Sequence, residues 1–141
     1  MEDFIKKIDL QNVSQQNLAF VGDAIYNVYI RTYLISISNT NTGKLHNKSI
    51  MYVSAKAQSN IIDKIYDSLD EKEKLVYKRG RNTNINTVSK HVDVISYKKA
   101  TGYEALLGYL YLKNDISRLE EIIKASIEIV KENTNKWMKI K

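Results

Sequence analysis

Proline is absent from all 141 residues of this chain, and only five glycines interrupt it. Both residue types break regular structure, so their scarcity favours helices joined by short loops. No segment alternates between apolar and polar residues at every second position, as a half-buried strand would. The sequence therefore predicts an all-α fold, a helical bundle that forms a single domain over residues 1–141.

A favourable N-cap and apolar spacing predict the first helices. Ser14 caps a long helix that reaches about residue 37, and a polar loop over 38–43 follows it. A short helix or turn opens at Lys44, and a longer helix comes after it. The expected buried faces of the two long helices are Leu18, Val21, Ile25, Val28 and Tyr29, and then Ile50, Val53, Ala57, Ile61, Ile65 and Leu69.

The second half of the chain contains two capping boxes. Asp70 with Glu73 predicts a helix over 71–78, and Ser117 with Glu120 predicts the start of the last helix. A further helix is expected over 94–113. The last helix is expected to bury Leu119, Ile122, Ile123, Ile127 and Val130.

Two of the predicted helices each carry one acid in an otherwise apolar stretch. Asp23 follows Leu18-Ala19-Phe20-Val21-Gly22, and Glu104 precedes Ala105-Leu106-Leu107-Gly108. A carboxylate in apolar surroundings is costly to desolvate unless something pairs with it. Glycine inside a helix costs about 1 kcal/mol relative to alanine, so the glycines suggest that the two backbones approach closely. The pattern predicts that both acids are buried and share one metal site.

Composition restricts which metal and which partners are possible. The chain has no cysteine and two histidines, so its metal ligands are expected to be oxygens, which favours Mg²⁺ with Mn²⁺ as a possible substitute. The net charge of +6 fits a polyanionic partner, although a charge of this size also serves plain solubility. The acidic start of the chain predicts no signal peptide, and polar residues interrupt the apolar run over 18–35. We therefore expect a cytoplasmic protein without a membrane span.

The two acidic stretches resemble those of the ribonuclease III family. Residues 17–24 are similar to its signature helix, usually written Glu-x-Leu-Glu-Phe-Leu-Gly-Asp, and residues 103–112 are similar to its second acidic helix. Further stretches resemble the compact branch called Mini-ribonuclease III, namely Lys44-Leu45-His46, Val53-Ser54-Ala55-Lys56, Lys78-Arg79-Gly80-Arg81-Asn82 and Asp93 before Tyr97. Longer family members usually carry acids at the positions of Gln16, Ala19 and Thr101, which leaves the number of metals per site open.

The resemblance implies a ribonuclease III-like endonuclease domain in a two-fold homodimer that cleaves double-stranded RNA. Asp23 and Glu104 would be the catalytic metal ligands, and the substrate would be the precursor of 23S ribosomal RNA, with a ribosomal protein as a possible partner. The first long helix, with Phe20, Tyr26 and Tyr29 around its circumference, could serve both the core and the dimer interface.

A basic stretch without acids, residues 78–91, is expected to form a protruding loop that binds RNA. Longer ribonucleases III add a double-stranded-RNA-binding domain, for which this chain has no room, so the catalytic domain itself would bind the substrate. Duplex RNA is recognised mainly through its backbone and shape, which suits cationic side chains. The first candidates are Lys78, Arg79, Arg81, Lys90 and His91, and the weaker ones are Lys44, His46, Lys48, Lys98 and Lys99.

Two alternatives stay open at the level of sequence. One is a non-catalytic RNA-binding or ribosome-associated module on the same fold, for which Gln16, Ala19 and Thr101 argue and the two retained acids do not. The other is a small helical regulator that binds DNA, which would leave both acids unexplained. Cleavage of duplex RNA in Mg²⁺ but not in EDTA would exclude both.

Overall fold

A computed structural model describes residues 1–83 and 93–140, with side chains as far as residue 136. Across these residues the regular structure is helical and contains no strand. The helices are α1 Glu2–Lys6, α2 Gln15–Ile37, α3 Thr42–Val53, α4 Ala55–Ile65, α5 Glu71–Arg81, α6 Val94–Leu112 and α7 Ile116–Ile140, with short 3₁₀ helices at Leu10–Asn12 and Tyr66–Ser68. The predicted all-α class is confirmed. In the described part of the chain, no helix combines the length and apolarity needed to span a membrane.

Helices α2 and α6 form the central pair of the bundle, and α4, α5 and α7 pack around α6. Because α6 is enclosed in this way, it is apolar around most of its circumference. Its fully buried side chains include Tyr103, Leu106, Leu107 and Leu110. Tyr26 of α2 meets Tyr103 edge to face, with 5.3 Å between the ring centroids.

The backbones of α2 and α6 touch at two glycines. A Cβ atom on Gly22 would overlap the carbonyl oxygen of Glu104, and one on Gly108 would overlap the carbonyl oxygen of Leu18. The close approach expected from these glycines is therefore present. Since Gly22 packs on the backbone of Glu104 itself, the next residue, Asp23, lies beside Glu104.

The long helix predicted across residues 50–69 is interrupted, and Ser54 is the reason. Ser54 adopts an extended conformation (φ −62°, ψ 155°) that ends α3, and its hydroxyl accepts a hydrogen bond of 3.2 Å from the backbone N–H of Ala57 at the start of α4. A serine hydroxyl that can cap a new helix competes with continuation of the old one. The prediction of one continuous helix was wrong. Of its expected buried face, Ile61, Ile65 and Leu69 are buried, whereas Ile50 is exposed.

The cap of α7 also differs from the prediction. The Asp115 carboxylate, and not Ser117, accepts the hydrogen bond of 3.2 Å from the backbone N–H of Arg118. Asn114 adopts a left-handed conformation (φ 66°) that ends the turn after α6, which leaves Asp115 as the first residue able to cap. Ser117 lies inside the first turn of α7. The predicted buried face of this helix is confirmed at all five positions.

Two predictions about α2 and α5 were wrong because of contacts from distant parts of the chain. Val28 is exposed, and Tyr26 and Ile30 occupy the core instead. Helix α5 continues to Arg81, three residues beyond the predicted end, because Gly80 packs onto α6. A Cβ atom on Gly80 would lie 2.8 Å from the Cβ atom of Ala105. Ser14 caps α2 as predicted, accepting a bond of 3.1 Å from the N–H of Asn17.

Candidate active site

The structure brings the two predicted acids together. The side chain of Asp23 lies within hydrogen-bonding reach of the Glu104 carboxyl, one helix facing the other across the Gly22 contact. Glu104 is partly buried, whereas Asp23 is exposed. The expectation that both acids are buried is therefore wrong for Asp23, which follows Gly22 at the rim of the helix contact. The pair forms a site that solvent reaches from the Asp23 side.

The surroundings of Glu104 strongly disfavour its charge. Burial raises the pKa of Glu104, and the neighbouring Asp23 carboxylate raises it further, from 4.5 to about 8. A hydrogen bond from the Gln58 side chain opposes these two effects. No lysine or arginine in the described residues forms an ion pair with Asp23 or Glu104. Two carboxylates held together without a cation leave an excess of negative charge at this point.

Two side-chain amides complete the surroundings of the acids. Gln58 of α4 donates through Nε2 to Glu104 Oε2 at 3.4 Å and to the carbonyl oxygen of Val53 at 3.0 Å. Asn27 of α2, one turn after Asp23, donates to Asp23 Oδ1 at 3.1 Å and to its carbonyl oxygen at 2.8 Å. Each acid is therefore oriented by a neutral donor that leaves its negative charge uncompensated.

The donor set fits a hard divalent cation. Carboxylate and amide oxygens are the protein ligands that Mg²⁺ and Mn²⁺ prefer, and a cation between the two acids would relieve their repulsion. Among the described residues, no group of three or more histidine, cysteine or acidic side chains is arranged for a metal. Gln16 is exposed, Ala19 is buried, and the hydroxyl of Thr101 bonds to the carbonyl oxygen of Tyr97 at 3.0 Å. These positions add no charged ligand to the pair.

The basic residues after Lys78 lie partly in a helix. Arg79 and Arg81, expected in a protruding loop, belong to the last turn of α5, which continues because Gly80 packs against residues 101–105 of α6. Lys78 and Arg79 are exposed, whereas the guanidinium of Arg81 lies over the ring of Tyr77, 5.6 Å from its centroid. The basic end of α5 therefore packs on α6 at Thr101, Gly102 and Ala105.

The remaining RNA-binding candidates divide into three groups. Lys90 and His91 lie outside the described residues. Lys44, His46 and Lys48 are exposed on α3. Lys98 and Lys99 are partly buried in the first turns of α6, and Lys99 forms an ion pair of 3.0 Å with Asp63.

Sequence reasoning did not include Gln58 or Asn27 among the site residues. A usable signal existed for each of them. Gln58 precedes Ile61, Ile62 and Ile65 at helical spacing, so it is a polar residue on a buried face. Asn27 lies four residues after Asp23, which places the two side chains on the same side of α2.

The chain is similar to proteins whose names define a class of nuclease. Residues 16–115 match the Ribonuclease III domain family. A Mini-ribonuclease 3 of Clostridium tetani is 46% identical over 134 residues, which cover 94% of this chain and 88% of the relative. A Mini-ribonuclease 3 of Thermoanaerobacter is 43% identical over 130 residues, which cover 92% of each chain.

A solved structure adds the same likeness in three dimensions. The crystal structure of a Fusobacterium nucleatum protein superposes with a TM-score of 0.77 at 37% sequence identity, covering 85% of this chain and 96% of the other. The chain belongs to the ribonuclease III family and, within it, to the Mini-ribonuclease 3 proteins. It is therefore an endoribonuclease of a family that acts on double-stranded RNA.

Proposed function

We propose that this endoribonuclease cleaves double-stranded RNA with Mg²⁺ held by Asp23 and Glu104, and that Mn²⁺ can replace Mg²⁺. The observation that carries the proposal is the pair of carboxylates on α2 and α6, brought together by Gly22 without a compensating cation in the described chain. Two carboxyl groups placed this close cannot both ionise without a cost in stability, which a bound cation would remove.

Hydrolysis of a phosphodiester needs positive charge near the reacting phosphate and a water molecule that loses its proton readily. A divalent ion supplies both when it is bound by carboxylates. The chain itself contributes the two carboxylates, with Glu104 on the partly buried side of the site and Asp23 on the exposed side. Because Asp23 is open to solvent, a phosphate of the RNA can approach the site from that direction.

The basic end of α5 supports binding of the RNA backbone at the same place. Lys78 and Arg79 are exposed in the last turn of α5, which packs through Gly80 against α6. Lys90 and His91 follow in the sequence, and Lys44 and His46 on α3 are further candidates. Cations on a surface beside the acids would contact phosphates on either side of the one being cleaved.

A homodimer is supported by the outer face of α2. Exposed apolar residues lie four or seven positions apart along one side of this helix, and they are Phe20, Ala24, Val28 and Ile35. Phe20 is 78% exposed, Val28 61% and Ile35 49%, and an exposed apolar patch of this kind marks an interaction surface. A two-fold dimer through this face would bury the stripe and supply two sites, one for each strand of the duplex. Sedimentation velocity at micromolar concentration is expected to give the mass of two chains.

The substrate that we propose is the precursor of 23S ribosomal RNA, with a possible contact to a ribosomal protein, in the cytoplasm. The family relationship to the Mini-ribonuclease 3 proteins supports a duplex substrate. The uncharged residues Gln16, Ala19 and Thr101 leave the pair of Asp23 and Glu104 in place.

The decisive experiment uses a duplex RNA taken from the 23S precursor, with both strands labelled. We expect cleavage of both strands in Mg²⁺ or Mn²⁺ and none in EDTA. An unrelated duplex of equal length tests the preference for the precursor. Equal cleavage in EDTA would contradict the metal dependence, and binding without cleavage under every condition would favour the non-catalytic RNA-binding module.

A further inference from the structure

We propose that Gln58 is a positioning residue, whose side-chain amide fixes the orientation of the Glu104 carboxylate so that Glu104 and Asp23 can bind one divalent ion. This inference rests on the proposed function, since it assigns a role within the same site. Gln58 lies on α4, whereas the two acids lie on α6 and α2. The site is therefore built from three helices and not from two.

The contacts of Gln58 determine which way its amide faces. Nε2 lies 3.0 Å from the carbonyl oxygen of Val53 and 3.4 Å from Glu104 Oε2. Both neighbours are acceptors, so only the NH₂ group can face them favourably. Turning the amide over would set its oxygen against the Val53 carbonyl and the Glu104 carboxylate. One amide nitrogen therefore serves both contacts, with one hydrogen for each.

The bond to Val53 makes the amide a rigid support. Val53 is the last residue of α3, and carbonyl groups at a helix end lack partners within the helix. The neighbouring carbonyl, that of Tyr52, accepts a buried hydrogen bond of 2.9 Å from the Tyr26 hydroxyl. Ser54 caps the start of α4 at the same corner. The Gln58 amide therefore links its own helix, α4, to the last residue of α3 through its hydrogen bond to the Val53 carbonyl. Its second hydrogen is then directed at Glu104.

Stability alone does not explain a glutamine at this position. Gln58 is 1% exposed, and its Oε1 atom has no hydrogen-bond partner among the described residues. A buried polar atom without a partner costs about 1–3 kcal/mol. Methionine or leucine would fill a similar volume without that cost. An apolar residue could make neither of the two hydrogen bonds of this amide: the bond to Val53 anchors it at the end of α3, and the bond to Glu104 directs it at the acidic pair.

The effect on Glu104 follows from the geometry of a carboxylate. The last torsion of a glutamate side chain is broad, so an unsupported carboxylate can rotate. Repulsion from Asp23 would favour rotation away from the ion site. Holding Oε2 at Gln58 restricts that rotation, in the way that outer hydrogen bonds orient the ligands of a metal.

The test measures Mn²⁺ binding without RNA, from the loss of the free Mn²⁺ signal in electron paramagnetic resonance. In Gln58→Met, which keeps the side-chain length, we expect the dissociation constant for Mn²⁺ to rise by about 10-fold. The Mg²⁺ concentration that gives half-maximal cleavage should rise by a similar factor. Cleavage at saturating Mg²⁺ should recover most of the wild-type rate, because the two acids are still present.

The matched control is Tyr26→Phe. It removes the hydroxyl that donates to the Tyr52 carbonyl at the same end of α3, and this hydroxyl makes no hydrogen bond to Glu104. We expect a loss of stability of about 1 kcal/mol and unchanged Mn²⁺ binding. If Gln58→Met does not fold, Gln58→Asn carries the test, since its amide is one methylene too short to reach both acceptors. Circular dichroism melting curves check the fold of each variant.

Three results separate the possible errors. Unchanged Mn²⁺ affinity in a folded Gln58 variant would overturn the positioning role while leaving the metal site intact. Equal weakening in Tyr26→Phe would also overturn it, because the α3–α4 corner would then act only as structure. Absence of Mn²⁺ binding in the wild-type protein would overturn the proposed function itself.

Discussion

Two glutamates on neighbouring helices, one buried and one partly buried, show how differently this fold treats a carboxylate. Glu73 of α5 is 3% exposed, and Arg118 binds both of its oxygens, at 2.8 and 2.9 Å. The same carboxylate completes the capping box of α5 by accepting a bond of 2.9 Å from the N–H of Asp70. Glu104 of α6, in contrast, faces another acid and one neutral amide.

The difference indicates which of the two carboxylates the fold needs for stability. Arg118 also binds Glu121 and the carbonyl oxygen of Ser68, so the Glu73 cluster ties α7 to α5 and to the segment between α4 and α5. The buried charge of Glu73 is therefore compensated within the chain by Arg118. The Asp23–Glu104 pair has no such balance and disfavours the folded state until a cation binds. Violations of local stability of this kind are expected at functional sites.

The same substitution at both glutamates tests this contrast most directly. Glu104→Gln should lower the rate of RNA cleavage by more than about 100-fold, because outer-shell groups alone change metal sites by about 10–100-fold. Asp23→Asn should have a comparable effect. The measurement is single-turnover cleavage of a labelled duplex, with circular dichroism to check the fold. A variant of either acid that cleaves at close to the wild-type rate would exclude it as a metal ligand.

Glu73→Gln should have the opposite profile. Loss of its charge leaves Arg118 with a weaker partner, so we expect a loss of about 2 kcal/mol in the free energy of unfolding. That is less than for a fully buried pair, since glutamine still accepts a hydrogen bond and Arg118 retains Glu121. Denaturant unfolding in EDTA measures the loss. At a temperature where the variant is folded, its cleavage rate should match that of the wild type, and a large fall would mean that this cluster contributes to the reaction.

The sequence predicted the contacts that depend on local pattern, and the fold added those that depend on distant residues. Gly22, Asp23 and Glu104 were recognised because each departs from its apolar surroundings, and Ser14 was recognised as a cap. The extension of α5 to Arg81 was missed because it depends on packing of Gly80 against α6. The break at Ser54 was missed although its cap is local, because the apolar spacing continues across it. Gln58 was missed for a similar reason, since its partners lie 5 and 46 residues away in the chain.

The pH dependence of stability should also separate the two glutamates. The carboxyl of Glu104 has its pKa raised from 4.5 to about 8, so between these values the folded metal-free protein holds a proton that the unfolded chain has lost. Stability in EDTA should therefore fall as the pH rises from about 5 to about 8. The side chain introduced by Glu104→Gln stays neutral at every pH, so this variant avoids the cost of a charged Glu104. It should therefore be more stable than the wild type by about 1–2 kcal/mol at pH 8.5, a figure reduced for solvent access to the site.

The advantage of Glu104→Gln should shrink as the pH is lowered toward 5, where both forms of the protein carry a neutral group at position 104. Glu73→Gln should be less stable than the wild type, because it weakens the partner of Arg118. Unfolding by urea at several pH values in EDTA provides the comparison. Parallel stability curves for the wild type and Glu104→Gln would mean that Glu104 is charged at neutral pH without the metal.

The smallest effect concerns the exposed cations in the last turn of α5. Arg79→Ala removes one exposed charge beside residues 101–105 of α6, whereas Lys124→Ala removes one exposed charge from α7. If Arg79 contacts a phosphate, its loss should weaken duplex binding severalfold and reduce the slope of log affinity against log salt by about one unit. Lys124→Ala should leave that slope unchanged. Binding is measured in Ca²⁺ or EDTA to prevent cleavage, and identical slopes for both variants would remove Arg79 from the proposed RNA surface.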